Sequence, residues 1–172
     1  FNAAYAISLA DGREVVLKIA PLPDADVLSY ERNIMQTEVD AMRLVRQNPA
    51  IPVPTIYFFD ESLSICDSPY FFMQKIAGDN LEHVRATLEP ATQAKVDQQI
   101  GAIIHEINQF KGSYFGYEGN LELRGDSWKP TFIKLIDALL ADGQRKNVEL
   151  EYSYAEIRAV VLKHAAALDE VT

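Results

Sequence analysis

The chain has 172 residues, 48% of them apolar and 24% charged, with one cysteine and a formal net charge of -9. That length and apolar share suit one domain or two small lobes around a real core and exclude a disordered chain, while a lone cysteine excludes a disulfide framework. The acidic balance argues against nucleic acid, whose binders carry basic stripes, and no apolar run approaches the ~20 residues of a membrane span.

Cys66, in a Ser/Asp-rich stretch, reads as a bystander, and the surplus charge reads as a solubility property before it reads as recognition. With no basic-then-apolar leader, the expected setting is the cytoplasm. Opening on Phe1 instead of methionine, the sequence is expected to have a trimmed N-terminus.

Tyr5, Ile7 and Leu9 alternate with small residues, Asp11-Gly12 interrupts, and Val15, Leu17 and Ile19 alternate again. This pattern predicts a hairpin in which Asp11-Gly12 supplies the positive φ angles of a two-residue turn. Period two places Val16 and Lys18 on one face and Val15, Leu17 and Ile19 on the other. Such an apolar strand cannot bury an unpaired ammonium, so Lys18 requires an anion: a carboxylate on the next helix, or the phosphates of a nucleotide. A ligand beneath Val16 would meet an apolar roof beside a cation. Pro21 and Pro23 end the strand.

From about residue 29 to residue 48, Ile34, Ala41, Met42 and Val45 recur at helical spacing, and Glu38 falls inside that stripe. A carboxylate on a covered face must be paired or protonated, which makes Glu38 the natural partner of Lys18. The alternative is that Glu38 sits at the edge of the stripe and reaches water. Pro49, Pro52 and Pro54 then break the chain before a strand over 55–60, and Asp67-Ser68-Pro69 turns it into a second strand over 70–76. Tyr57, Phe58, Phe71 and Phe72 read as sheet core.

The remainder is helical. Residues 81–88 form a short helix, and Pro90 opens a longer one reaching to about Lys111 with Val96, Ile100, Ile103, Ile107 and Phe110 as its core face. Residues 112–120 are glycine-rich but follow a helix and lack a Lys-Ser/Thr, a poor phosphate cradle. Further helices carry Phe132, Leu135, Ile136, Leu139 and Leu140, and then, over about 154–171, Ile157, Val160, Val161, His164 and Leu168. His83 and His105 read as surface or inter-helix residues and His164 as a hydrogen-bonded core residue, with no metal-ligand spacing around any of them.

In order and spacing these pieces resemble the aminoglycoside phosphotransferase family, small-molecule kinases with a protein-kinase-like fold. The tail of a nucleotide-covering loop is matched by residues 1–5 with Asn2, the strand lysine by Val16-Leu17-Lys18, and the helix glutamate by Glu38. Residues 72–81 match the hinge, where backbone groups of Gln74 and Ile76 would hydrogen-bond adenine. The helix around His105 matches the first long helix of the helical lobe. The catalytic His-x-Asp-x-x-x-x-Asn loop is not begun by any of the three histidines. It is expected just beyond Thr172, so no catalytic residue and no metal ligand is expected within the chain.

The resemblance implies an α+β, protein-kinase-like fold: a nucleotide-binding N-lobe with a small antiparallel sheet and one helix over residues 1–76, and the start of a helical C-lobe over 77–172. It implies ATP or GTP with Mg2+ as cofactor, and a nucleotide and a small hydroxyl-bearing acceptor (antibiotic, metabolic or homoserine-like) as partners, with no nucleic acid and no membrane. Lys18, Glu38, Val16, Gln74, Ile76 and Asn2 would bind the nucleotide, and the chain alone would be inactive. The competing reading is a non-catalytic binding or interaction module in which the Lys-Glu pair is structural.

Overall fold

In the computed structural model, which describes residues 2–171, the alternating stretches near the start of the chain pair with each other. Strands β1 (Ala3–Ser8) and β2 (Glu14–Ile19) run antiparallel, Ala4 opposite Lys18 and Ala6 opposite Val16. The two-residue turn expected at Asp11-Gly12 does not form. Gly12 N–H donates to the Leu9 carbonyl at 3.0 Å and Leu9 N–H to the Arg13 carbonyl at 2.8 Å, and of the Asp11-Gly12 pair only Gly12 takes a positive φ, 83°. Asp11 instead accepts from the Arg13 N–H at 3.1 Å and from its Nε at 2.8 Å, a side-chain turn that favours the longer connection.

Strands β3 (Ile56–Asp60) and β4 (Tyr70–Gln74) complete a four-stranded antiparallel sheet in the order β1-β2-β4-β3. The register sets Lys18 opposite Phe71, Val16 opposite Met73 and Phe59 opposite Phe71, so these side chains share one face. The other face carries Phe58, Tyr70 and Phe72, their rings 6.0 and 6.1 Å apart in sequence along the row. Not all four predicted aromatics are core: Phe71 is fully buried, but Tyr57 and Phe58 are each 51% exposed. Both lie on β3, an edge strand with a neighbour on one side only.

The helix expected over 29–48 is divided. A 3-10 turn over Ser29–Glu31 is followed by Asn33 at φ 51°, and α1 runs over Ile34–Val45. Asparagine tolerates this left-handed conformation better than most residues, so the chain can bend there. The covered stripe is also rotated from the one expected: Met35 and Val39 are buried at 2% and 0% exposure, while Ala41 is exposed. Met35, Val39 and Met42 define its axis, and at 100° per residue Glu38 falls about 70° to one side.

After β4 come α2 (Leu81–Val84) and α3 (Pro90–Ile107), the latter with proline in its first turn as expected. No residue of α3 is buried; Ile100 and Ile107 remain 38% and 40% exposed, so its expected core face is only half covered. Among the described residues, no helix is long and apolar enough to cross a membrane.

Backbone proximity divides the chain into two compact units, Phe1–Pro23 with Glu38–Lys111, and Asp24–Thr37 with Gly112–Thr172. This discontinuous division measures compactness, a different property from the ligand-binding lobes expected at 1–76 and 77–172. Phe1, read as the start of the loop tail, and Thr172 lie outside the described residues.

The second unit contains the short pair β5 (Phe115–Gly116) and β6 (Arg124–Gly125), then α4 (Trp128–Arg145) and α5 (Tyr154–His164). The glycine-rich loop has a packing reason for its glycines. A Cβ on Gly119 would lie 2.1 Å from the Arg32 carbonyl oxygen, and one on Gly116, at φ 120°, 2.0 Å from that of Leu123. On α4, Asp142 is buried and accepts from the Ser29 N–H at 2.6 Å, the Ser29 hydroxyl at 3.1 Å and Arg145 at 2.9 Å. Burial opposes its ionisation, but the Ser29 and Arg145 donors outweigh burial and hold the carboxyl below its ordinary range. His164 is exposed, not core; the covered side of α5 leads through half-buried Ile157 and Val161 to buried Ala165, where the α-helix has already become a 3-10 segment.

Candidate functional site

The first unit gathers its polar chemistry around β2. Lys18 is held by a strand whose neighbours on both sides are paired, so its side chain has to leave on the face that α1 partly covers. There Nζ donates to Glu38 Oε1, and Asn2 Nδ2 donates to the other carboxylate oxygen, Oε2, at 3.1 Å. Beneath the ammonium lies the Phe71 ring, its centroid 5.8 Å away. The two sequence alternatives for Glu38 both hold in part: the ion pair forms, and its side chains remain 24% and 29% exposed. The position of Glu38 off the stripe's axis explains this, since the carboxylate meets the sheet on one side and water on the other.

Asn2 adds an asymmetry to the cluster. Its Nδ2 is bound to Glu38, but its Oδ1 is buried with no hydrogen-bond partner among the described residues. An orphaned acceptor costs about 1–3 kcal/mol, so this atom is a standing demand for an N–H or O–H donor. Lys18, with three donors of which Glu38 takes one, is the complementary demand for acceptors.

Val16 is half-buried and, two residues before Lys18, shares its face. Gln74 ends β4 and Ile76 lies just past it, 58% exposed. Gln74 N–H donates to the Thr55 carbonyl at 2.8 Å and its side-chain oxygen accepts from Thr55 N–H at 3.3 Å. Between the two, Lys75 pairs with Glu14 at 2.8 Å and ties the segment leaving β4 to the start of β2. Thus Glu38 joins Lys18 and Asn2, Val16 is on the same face as Lys18, and no hydrogen bond or ion pair ties Gln74 or Ile76 to them.

One participant and one contact were not legible in advance. Phe71 was read as core, and only the strand register brings it under Lys18. The bond from Asn2 to Glu38 spans 36 residues and has no periodic signal. Among the described residues, no cluster of three or more His, Cys, Asp or Glu side chains is placed to hold a metal ion.

The model of a family described as the phosphotransferase enzyme family matches residues 2–170. Neither the curated proteins nor the solved structures yield a match.

Proposed function

This chain belongs to the phosphotransferase enzyme family, and from that premise we propose that it carries the nucleotide-binding part of a kinase-like enzyme that moves the γ-phosphoryl group of ATP or GTP to a hydroxyl of a small molecule. The observation that carries the proposal is the partly exposed Lys18–Glu38 pair on the sheet face shared with Val16. Full burial would cost both ions their hydration and leave no ammonium donor within reach of a ligand. This pair keeps ammonium donors and water access on the side where phosphates would arrive.

In this reading Glu38 orients Lys18, Lys18 holds the α- and β-phosphates, and Val16 covers the base. The Gln74 carbonyl and the Ile76 N–H address the adenine edge, and Asn2 belongs to the loop tail that covers the nucleotide. Residues 1–76 act as the nucleotide lobe and 77–172 as the start of the acceptor-binding lobe. Mg2+ would accompany the nucleotide. Because none of the three histidines opens a His-x-Asp-x-x-x-x-Asn loop, the 172-residue chain is proposed not to transfer phosphate alone.

Titration of the amide NMR spectrum with ATP and with GTP tests the reading. The expected result is saturable, millimolar binding that shifts the resonances of Lys18, Gln74 and Ile76. With Lys18→Ala, one charge-assisted contact is lost and affinity falls about 10- to 100-fold. Undiminished binding by Lys18→Ala, or shifts confined to other residues, would sink the assignment.

A further inference from the structure

Within the first unit, α1 and β3 enclose a cleft of about 130 Å³ that the nucleotide reading does not use. Met42, Ile56, Tyr57 and Phe59 line it with apolar surface, and Arg43 and Arg46 contribute two guanidinium groups. Arg43 lies over the Phe59 ring at 5.8 Å and pairs only loosely with Asp40 of its own helix at 3.7 Å, a type of contact that exchanges at little cost. Arg46 is held in place through Nη1 by the Thr55 hydroxyl at 2.9 Å and the Val53 carbonyl at 3.4 Å, both neutral acceptors. In a chain with a net charge of -9, this is a local reversal of sign beside exposed aromatic surface.

The size of the cleft decides what kind of ligand it suits. Pockets that take a whole small molecule measure roughly 300–1,000 Å³, whereas about 150 Å³ holds a single benzene ring. At about 130 Å³ the cleft accommodates one ring of something larger, whose remainder lies over the arginines. We propose that this cleft docks a peptide segment of a partner protein, with one aromatic side chain inserted beside Met42, Ile56 and Phe59 and flanking carboxylates paired with Arg43 and Arg46. Aromatic anchoring supplies the burial, and the arginines supply orientation and selectivity for an acidic sequence.

The same helix carries Glu38, one turn before Met42. A docked segment that holds this part of α1 also holds Glu38 against Lys18. This coupling rests on the nucleotide-binding reading above, whereas the docking does not.

The test is fluorescence anisotropy with a pool of short acidic peptides, each with one central Phe, Tyr or Trp, against a matching pool with alanine at that place. The ring-bearing pool is expected to bind the unaltered chain at least about tenfold more tightly than the alanine pool, and Arg43→Glu to weaken it by about the same factor. Equal binding of both pools, or no binding, would overturn the docking without relying on any variant. So would displacement by free phenylacetate at peptide-like concentrations, which would identify a small carboxylate as the occupant. A melting curve establishes that Arg43→Glu is folded, and Arg46→Glu provides a second rim variant. Adding saturating ring-bearing peptide should then tighten ATP binding several-fold. If the peptide binds and ATP affinity does not move, the coupling is wrong and the docking stands; if ATP does not bind at all, the nucleotide reading is the part that fails.

Discussion

Glu38 and Asp142 are both carboxylates on amphipathic helices, yet the molecule treats them in opposite ways. Asp142, with 6% of its side chain exposed, satisfies a backbone N–H, a hydroxyl and a guanidinium, and thereby fixes residues 113 positions away. Glu38 is 29% exposed, its lysine partner 24%, and Asn2 Oδ1, in the same cluster, has no hydrogen-bond partner among the described residues. The first arrangement is nearly dry with both carboxylate oxygens bonded, and the second is open to water with donors on Lys18 that Glu38 does not take. Structural polar clusters are expected to be closed, because an unmet buried group costs stability, whereas a binding cluster has to remain incomplete until its ligand arrives.

This contrast is sharpest in stability. Asp142→Ala strands the Ser29 N–H and leaves Arg145 to Asp26 and the Val27 carbonyl, and is expected to cost about 2–3 kcal/mol, read as a shift in the urea midpoint with little change in slope. A loss below about 0.5 kcal/mol would show that the cluster is replaceable by water. Glu38→Gln, in a pair open to solvent, is expected to cost about 1 kcal/mol or less in the same measurement. Were it to cost as much as Asp142→Ala, Glu38 would have to be regarded as a structural anchor and the comparison would collapse.

The smallest effect concerns pH. Because the folded-state carboxyl of Asp142 titrates below its unfolded value, with burial opposed and outweighed by Ser29 and Arg145, its contribution is present above the ordinary carboxylate range. It is lost as pH falls through the lowered folded value. The acid limb of the stability curve, below about pH 4, should therefore be flatter in Asp142→Asn than in the parent. Parallel limbs would mean that other carboxylates, such as the Arg158-bound Asp137, dominate acid unfolding.

Much of this was legible along the chain. Period-two alternation located β1 and β2, and a lone cation in one of them called for an anion, for which Glu38 was one of two candidates and is the partner found. The phase of α1 was not legible, since Ala41 and Ile34 count as apolar whether or not anything covers them, and Met35 and Val39 were passed over. His164 was misread for the same reason. An apolar neighbourhood in a helix does not say which side another element will close.

The sequence by itself determined the first strand pair, the positions of the other two strands, the succession of helices and the charge opposition between Lys18 and Glu38, because these depend on local periodicity and on the cost of an unpaired charge. Only the tertiary structure decided that Asn33 would divide the second predicted element, that Phe71 would lie under Lys18, that Asn2 would bind Glu38 and that Asp142 would bind Ser29. Asn33 takes a conformation that asparagine permits but does not demand, and its side chain donates to the Gly119 carbonyl at 2.9 Å, 86 residues along the chain. The other three depend on partners distant in sequence or on strand register, and nothing in the local pattern of either partner encodes which distant group it will meet.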